Sequence, residues 1–235
     1  MTNPLLNKSE ENLSGAMHHY GNGLTKLTHK DYTGAIQDFS MSIELDPNNK
    51  WVYLKRGSAN FELKNYRIAL IDFDEGIKLD PDDSKSLYNR GIVNYILGNL
   101  SESLSDYNKS IKLDNTNPVV YLNRGYVKVS TDNISGAIAD FNMVIKLDPE
   151  NKRAHYQRCM LKFKSQDFKG CTISCTKAIK IDPKAASLYL FRANSKVSFK
   201  NYKGAIKDYN KAIDLNPADQ WAFYFKRKAM DFAGY

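Results

Sequence analysis

The sequence predicts an all-α protein, a tandem array of antiparallel helix pairs. Repetition is the first observation. The phrase AIADFNMVIKLDP, ending at Pro149, returns as AIQDFSMSIELDP, ALIDFDEGIKLDP, SLSDYNKSIKLDN, CTISCTKAIKIDP and AIKDYNKAIDLNP, ending at residues 47, 81, 115, 183 and 217. The step is always 34 residues, and a fixed period of this size marks an array of identical supersecondary units. Apolar spacing is the second observation. Val52-Tyr53, Arg56-Gly57, Asn60-Phe61 and Leu63 recur at helical intervals, and so do Ala69-Leu70, Phe73 and Ile77.

Residues 1–15 are polar, contain Pro4 and Gly15, and read as a flexible lead-in. Six repeats follow, at 16–49, 50–83, 84–117, 118–151, 152–185 and 186–219, and 220–235 form a capping helix. Between the two helices of each repeat stands Asp31, Asn65, Asn99, Asn133, Asp167 or Asn201. Such side chains accept backbone N–H groups at a helix start. Each second helix closes at Leu-Asp-Pro or a variant of it, because proline removes a donor and disfavours helix in the residue before it. Asn115 replaces that proline once, and Pro118 then sits at a permitted helix start.

Two small places explain how the helices meet. Gly23, Gly57, Gly91, Gly125, Cys159 and Ala193 share one on the first helix; Ala35, Ala69, Ser103, Ala137, Cys171 and Ala205 share one on the second. Phe39, Phe73, Tyr107, Phe141 and Tyr209 fill the core around them. One repeat cannot bury its own apolar face, so neighbours must stack.

The chain is 42% hydrophobic, enough for a sizeable core. No apolar run approaches the roughly 18 residues of a membrane span, and the N-terminal MTNPLLNKSEENLSG lacks a signal core. A soluble, cytoplasmic protein is expected. Three cysteines do not make a disulfide framework. Charge is uneven: residues 1–151 carry 16 Lys/Arg against 20 Asp/Glu, residues 152–235 carry 18 against 6. The basic stretch 152–235 suggests an acidic polymer, membrane surface or other acidic partner.

The period, the small eighth and twentieth places, the aromatic twenty-fourth and the proline thirty-second resemble the tetratricopeptide repeat (TPR) over 16–219. Arg56, Arg90, Arg124, Arg158 and Arg192 depart from that pattern, which has Leu there. The resemblance implies a right-handed superhelical α-solenoid whose concave wall is made by the first helices. It implies a protein–protein interaction scaffold, not an enzyme, that binds a peptide or partner protein in this groove. On the wall it places Tyr20, Trp51, Leu54, Lys85, Tyr88, Asn89, Ile92, Asn123, Tyr126, Arg153, Tyr156, Gln157 and Met160. The wall is aromatic and apolar, and aromatic side chains anchor partners at low entropic cost. The family's carboxylate clamp is matched only by Asn123 and Arg153 across the third to fifth repeats, so that mode is not expected.

His155, Cys159, Cys171 and Cys175 have ligand types suited to zinc, but they occupy core places and read as packing. No nucleophile–base pair, phosphate loop or cofactor motif stands out. Trp221, Phe223, Tyr224, Phe225, Met230 and Phe232 make the last helix apolar for a cap, so a homo-oligomer through it is expected. The repeated Arg has an Asp partner, at Asp38, Asp72, Asp106, Asp140 and Asp208. Pairing each Asp with the Arg of the following repeat leaves fewer orphans, which puts Arg90 nearer to Asp72 than to Asp106.

Overall fold

The computed structural model describes residues 4–234. Among them are thirteen helices and no strand: α1 (Pro4–Thr28), α2 (Tyr32–Leu45), α3 (Lys50–Glu62), α4 (Tyr66–Leu79), α5 (Ser84–Leu97), α6 (Leu100–Leu113), α7 (Pro118–Ser130), α8 (Ile134–Leu147), α9 (Lys152–Lys164), α10 (Phe168–Ile181), α11 (Ala186–Val197), α12 (Tyr202–Leu215) and α13 (Gln220–Ala233). The chain forms two compact bodies, Met1–Val120 and Tyr121–Tyr235. In the first, α1 packs on α2, α3 on α4 and α5 on α6, with α2 on α3 and α4 on α5 linking the pairs. In the second, α9 packs on α10, α11 on α12 and α13 on α12.

The lead-in differs from expectation. Residues 4–15 are the first turns of α1 and not a loose segment. Pro4 costs nothing in a first turn, where its missing N–H would lack a partner anyway. Ala16 is buried, and Ser42 Oγ donates to its carbonyl at 2.8 Å, tying this helix to α2.

Paired helices run antiparallel, because Asn60 meets Asp72, Gly57 meets Phe73 and Leu54 meets Gly76. The small eighth place is essential to this contact. A Cβ on Gly23, Gly57, Gly91 or Gly125 would sit 2.5–3.1 Å from a ring atom of Phe39, Phe73, Tyr107 or Phe141. The fifth repeat solves the same problem differently. Cys175 stands at the aromatic place, and Phe191 of the next repeat joins Phe163 in filling the space around Cys159, Cys171 and Cys175.

Each turn inside a repeat contains one left-handed residue: Lys30, Lys64, Gly98, Asp132, Gln166 or Lys200. The Asn or Asp after it caps the second helix in four repeats, where Asp31, Asn133, Asp167 and Asn201 accept from Gly34, Gly136, Gly170 and Gly204. A Cβ on Gly34 would lie 2.2 Å from the Asp31 carboxylate, so this cap needs glycine. Where Ile68 or Glu102 replaces that glycine, the cap bond is lost, and Asn65 and Asn99 donate instead to Asn60 and Asn94.

The Arg–Asp pairing runs within repeats, which corrects the inter-repeat expectation. Arg90 Nη2 and Nε hold Asp106 at 2.5 and 3.0 Å, and Arg56–Asp72, Arg124–Asp140 and Arg192–Asp208 repeat the fork. The free Nη1 reaches back one repeat, Arg56 to Ser40, Arg90 to Asp74, Arg158 to Asn142 and Arg192 to Thr176. One guanidinium therefore ties its own hairpin and clips the preceding one. In the first repeat, Asn22 stands at the Arg place, and Lys26 and His19 serve Asp38 instead. In the fifth, Ser174 replaces the Asp, which leaves Arg158 Nε buried without a partner among the described residues.

Two stability outcomes follow from these contacts. Ser174→Asp should supply the missing acceptor and raise unfolding stability by about 1–3 kcal/mol, the usual cost of a buried unmade bond. Urea titration reads the gain, and no change would show that Arg158 is satisfied by water. Gly91→Leu should force the third hairpin apart at a cost of at least about 1–3 kcal/mol. Calorimetry should show a lower melting temperature, and an unchanged one would refute the close contact with Tyr107.

Candidate functional site

The wall tyrosines are held by the same contact that closes each hairpin. Tyr20, Tyr88 and Tyr126 lie half-buried with ring centroids 6.0, 6.2 and 5.7 Å from Phe39, Tyr107 and Phe141. Those inner rings press on Gly23, Gly91 and Gly125. Tyr156 has Cys175 where the inner ring would be, and leans on Phe191 at 5.8 Å. Each tyrosine ring is thereby braced by a second ring and stays only half-buried.

In the C-terminal body, Tyr126, Arg153, Tyr156 and Gln157 line one cleft of about 330 Å³. Lys152, His155, Asp182 and Leu188 complete it. Lys152 Nζ lies 3.6 Å from Asp182, which neutralises the one carboxylate in the lining. Arg153 is exposed at the rim. This arrangement offers an apolar floor, an amide and a cation, as expected of a small recognition pocket.

In the N-terminal body, Asn89 and Ile92 line a cleft of about 190 Å³ with Ser58, Phe61, Glu62 and Phe73. Trp51 and Lys85 are exposed, and Lys50 Nζ sits 4.3 Å over the Trp51 ring. Asn123 and Met160 are half-buried. Leu54 is not available to a ligand: it is buried in the core cluster of Ala69, Phe73 and Val93. The fifth place alternates Tyr20, Leu54, Tyr88, Leu122, Tyr156, Leu190, Tyr224, and the leucines at 54 and 122 are buried. Ser58 and Phe61 stand at the ninth and twelfth places, which the resemblance also puts on the wall, whereas Glu62, His155 and Asp182 were missed as lining residues.

The cysteines and His155 pack as core. Cys159, Cys171 and Cys175 are fully buried. His155 Nε2 donates to the Pro149 carbonyl at 2.9 Å, as Tyr189 Oη does to Pro183 one repeat later. Among the described residues no group of three or more His, Cys, Asp or Glu is placed to hold a metal ion, and no helix is long and apolar enough to cross a membrane.

Models of the tetratricopeptide repeat match residues 54–118 and 186–219. The chain is a tetratricopeptide repeat protein. Solved TPR structures share its fold. YrrB, described as a TPR protein with an unusual peptide-binding site, superposes with a TM-score of 0.73 at 18% identity over 80% of this chain and 97% of its own. The C-terminal part of a TPR protein from Cytophaga hutchinsonii gives 0.74 at 19% identity, covering 83% and 78%. MamA gives 0.69 at 21%, covering 74% and 94%. No curated protein sequence matches the chain.

His155 gives this TPR protein a pH dependence. Burial holds its imidazole below the ordinary value. The unfolded chain, with a histidine value of about 6.5, binds this proton more readily than the folded one. Stability from this group is therefore complete above about pH 6.5 and falls as pH drops below it. Urea unfolding between pH 5 and 8 should show that loss, and His155→Tyr should flatten the profile because tyrosine serves the equivalent carbonyl. A variant with an unchanged slope would assign the pH dependence to other groups.

Proposed function

We propose that this TPR protein is a protein-interaction scaffold that binds an extended peptide of a partner along the wall of its first helices. The observation that carries this reading is the cleft joining Tyr126, Arg153, Tyr156 and Gln157. Its rings are braced from behind, so a ligand pays little entropy to order them. Gln157 and Arg153 supply the hydrogen bonds that fix an extended backbone or a side-chain acceptor. YrrB, a TPR protein with an unusual peptide-binding site, supports the reading by analogy of fold. Tyr126→Ala and Tyr156→Ala should each weaken partner binding by roughly 2 kcal/mol. Titration calorimetry against a peptide recovered by display on the intact chain reads this effect. Full affinity in both variants would sink the proposal.

A second reading rests on a different face. Helix α10 exposes Lys169 and Lys177 on either side of Ile173, and α12 exposes Lys203, Lys207 and Lys211. No ion pair is seen for these five lysines among the described residues. An acidic polymer or anionic membrane surface would meet this face, and such binding falls steeply with added salt. Burial of rings in the cleft is only weakly salt-sensitive, so a salt titration separates the two.

A further inference from the structure

A larger cleft, of about 520 Å³, lies in the C-terminal body between α11 and α13. Val197, Tyr209, Phe225 and Phe232 give it apolar walls, and Asn194 and Lys228 supply its polar atoms. Tyr209 Oη donates to Asn194 Oδ1. Burial pushes the Tyr209 hydroxyl up to about 12, so it remains a donor at neutral pH. This bond occupies the amide oxygen and leaves the Asn194 Nδ2 hydrogens without a protein acceptor among the described residues. Lys228 Nζ rests 4.8 Å over the Tyr224 ring and meets no carboxylate among the described residues. No Asp or Glu lines the cleft. The unspent hydrogens it offers are those of the Asn194 amide and the Lys228 ammonium, and the charge it carries is positive.

The repeat supplies an internal comparison. Ser58, Phe61, Phe73, Asn89 and Ile92 line the smaller cleft between α3 and α5. They stand at the same repeat places as Asn194, Val197, Tyr209, Phe225 and Lys228. The fold therefore builds the same recess twice, with different chemistry. Ile92 holds the place of Lys228, and Glu62 sits at the rim. Packing does not demand a cation there, because this ninth place holds Leu24, Ser58, Ile92, Tyr126, Met160, Asn194 and Lys228 in turn.

We propose that the cleft between α11 and α13 is a peptide subsite that takes a large apolar side chain next to an acidic one. The apolar side chain fills the recess against Phe225 and Phe232, and the neighbouring carboxylate accepts from Lys228 and Asn194. This assignment rests on the peptide-scaffold reading and adds the partner's chemistry to it. Charge complementarity selects the occupant: a cationic rim without an acidic lining residue, on an apolar recess, fits an acidic–apolar segment and opposes a basic one.

A random peptide library displayed against the intact protein tests the proposal. Selected peptides should place Asp or Glu beside Phe, Leu or Trp. Lys228→Glu lies on the surface and should leave the circular dichroism spectrum intact. It should weaken a selected peptide roughly tenfold and shift a fresh selection toward Lys and Arg. Peptides that need Tyr156 but ignore Lys228→Glu would overturn the subsite and leave the scaffold reading standing. A library that yields no binder overturns both. A second copy as occupant would appear in light scattering as association of the intact protein that Lys228→Glu abolishes, and that result also overturns the peptide assignment.

Discussion

Every hairpin but the fifth depends on the contact of one aromatic ring with one small residue. Gly91 leaves no room for even a Cβ beside Tyr107, and Tyr107 in turn supports Tyr88. A backbone approach, a core ring and a wall ring form one stack running from between the helices to the exposed face. The stack explains why the wall is aromatic. A half-buried tyrosine braced by a core ring loses little entropy when a partner orders it further. Where the stack is broken, the wall changes. Cys175 brings no ring, so Tyr156 packs on the cysteine cluster and on Phe191 of the next repeat, and the cleft of about 330 Å³ includes this tyrosine in its lining.

The charged fork belongs to the same geometry. Once Gly57 faces Phe73 in an antiparallel hairpin, Arg56 must face Asp72. Counting which pairing leaves fewer orphans pointed to the neighbouring repeat, because a count of charges contains no geometry. The small-residue places already held the answer. The orphan that the count tried to avoid is real: Arg158 carries it, and burial without an acid lowers that guanidinium from its usual value. Its five-donor fork nevertheless makes a contact at Asn142, consistent with a group that serves two repeats at once.

The helix pairs, their ends and the core rings were legible in the sequence, because a period of 34 residues aligns equivalent places and lets each explain the others. The cap exchange went unread: all six Asn or Asp were expected to accept a backbone N–H, and Asn65 and Asn99 do not. Lys26, Lys128, Lys162 and Lys196 accompany a glycine three residues after the capping Asn or Asp, whereas Asn60 and Asn94 accompany Ile68 and Glu102. The α1 extension was not legible, since polar composition before Ala16 says nothing about helix once a neighbouring element anchors it. Clefts were hidden for a related reason. They are volumes between successive first helices, set by the mismatch of side chains from different repeats, and a column of residues describes only one side. Leu54 shows the limit: its place is a wall place, yet the side chain turns into the core beside Gly76.

The last helix follows from these rules. Trp221 and Tyr224, exposed at 69% and 46%, stand at the second and fifth places, those that the family resemblance assigns to the wall. The stacking face is marked by the seventh and eighth places, Lys226 and Arg227. Arg227 occupies the site where the other first helices carry Gly, Cys or Ala. A helix from another copy could not seat an aromatic ring against Arg227 as Tyr107 seats against Gly91. Association through α13 would therefore have to use Phe223 and the wall aromatics, and not the contact that closes the hairpins. The aromatic surface at this end is better matched to the recess beside it, where Phe225, Lys228 and Phe232 already face a cavity.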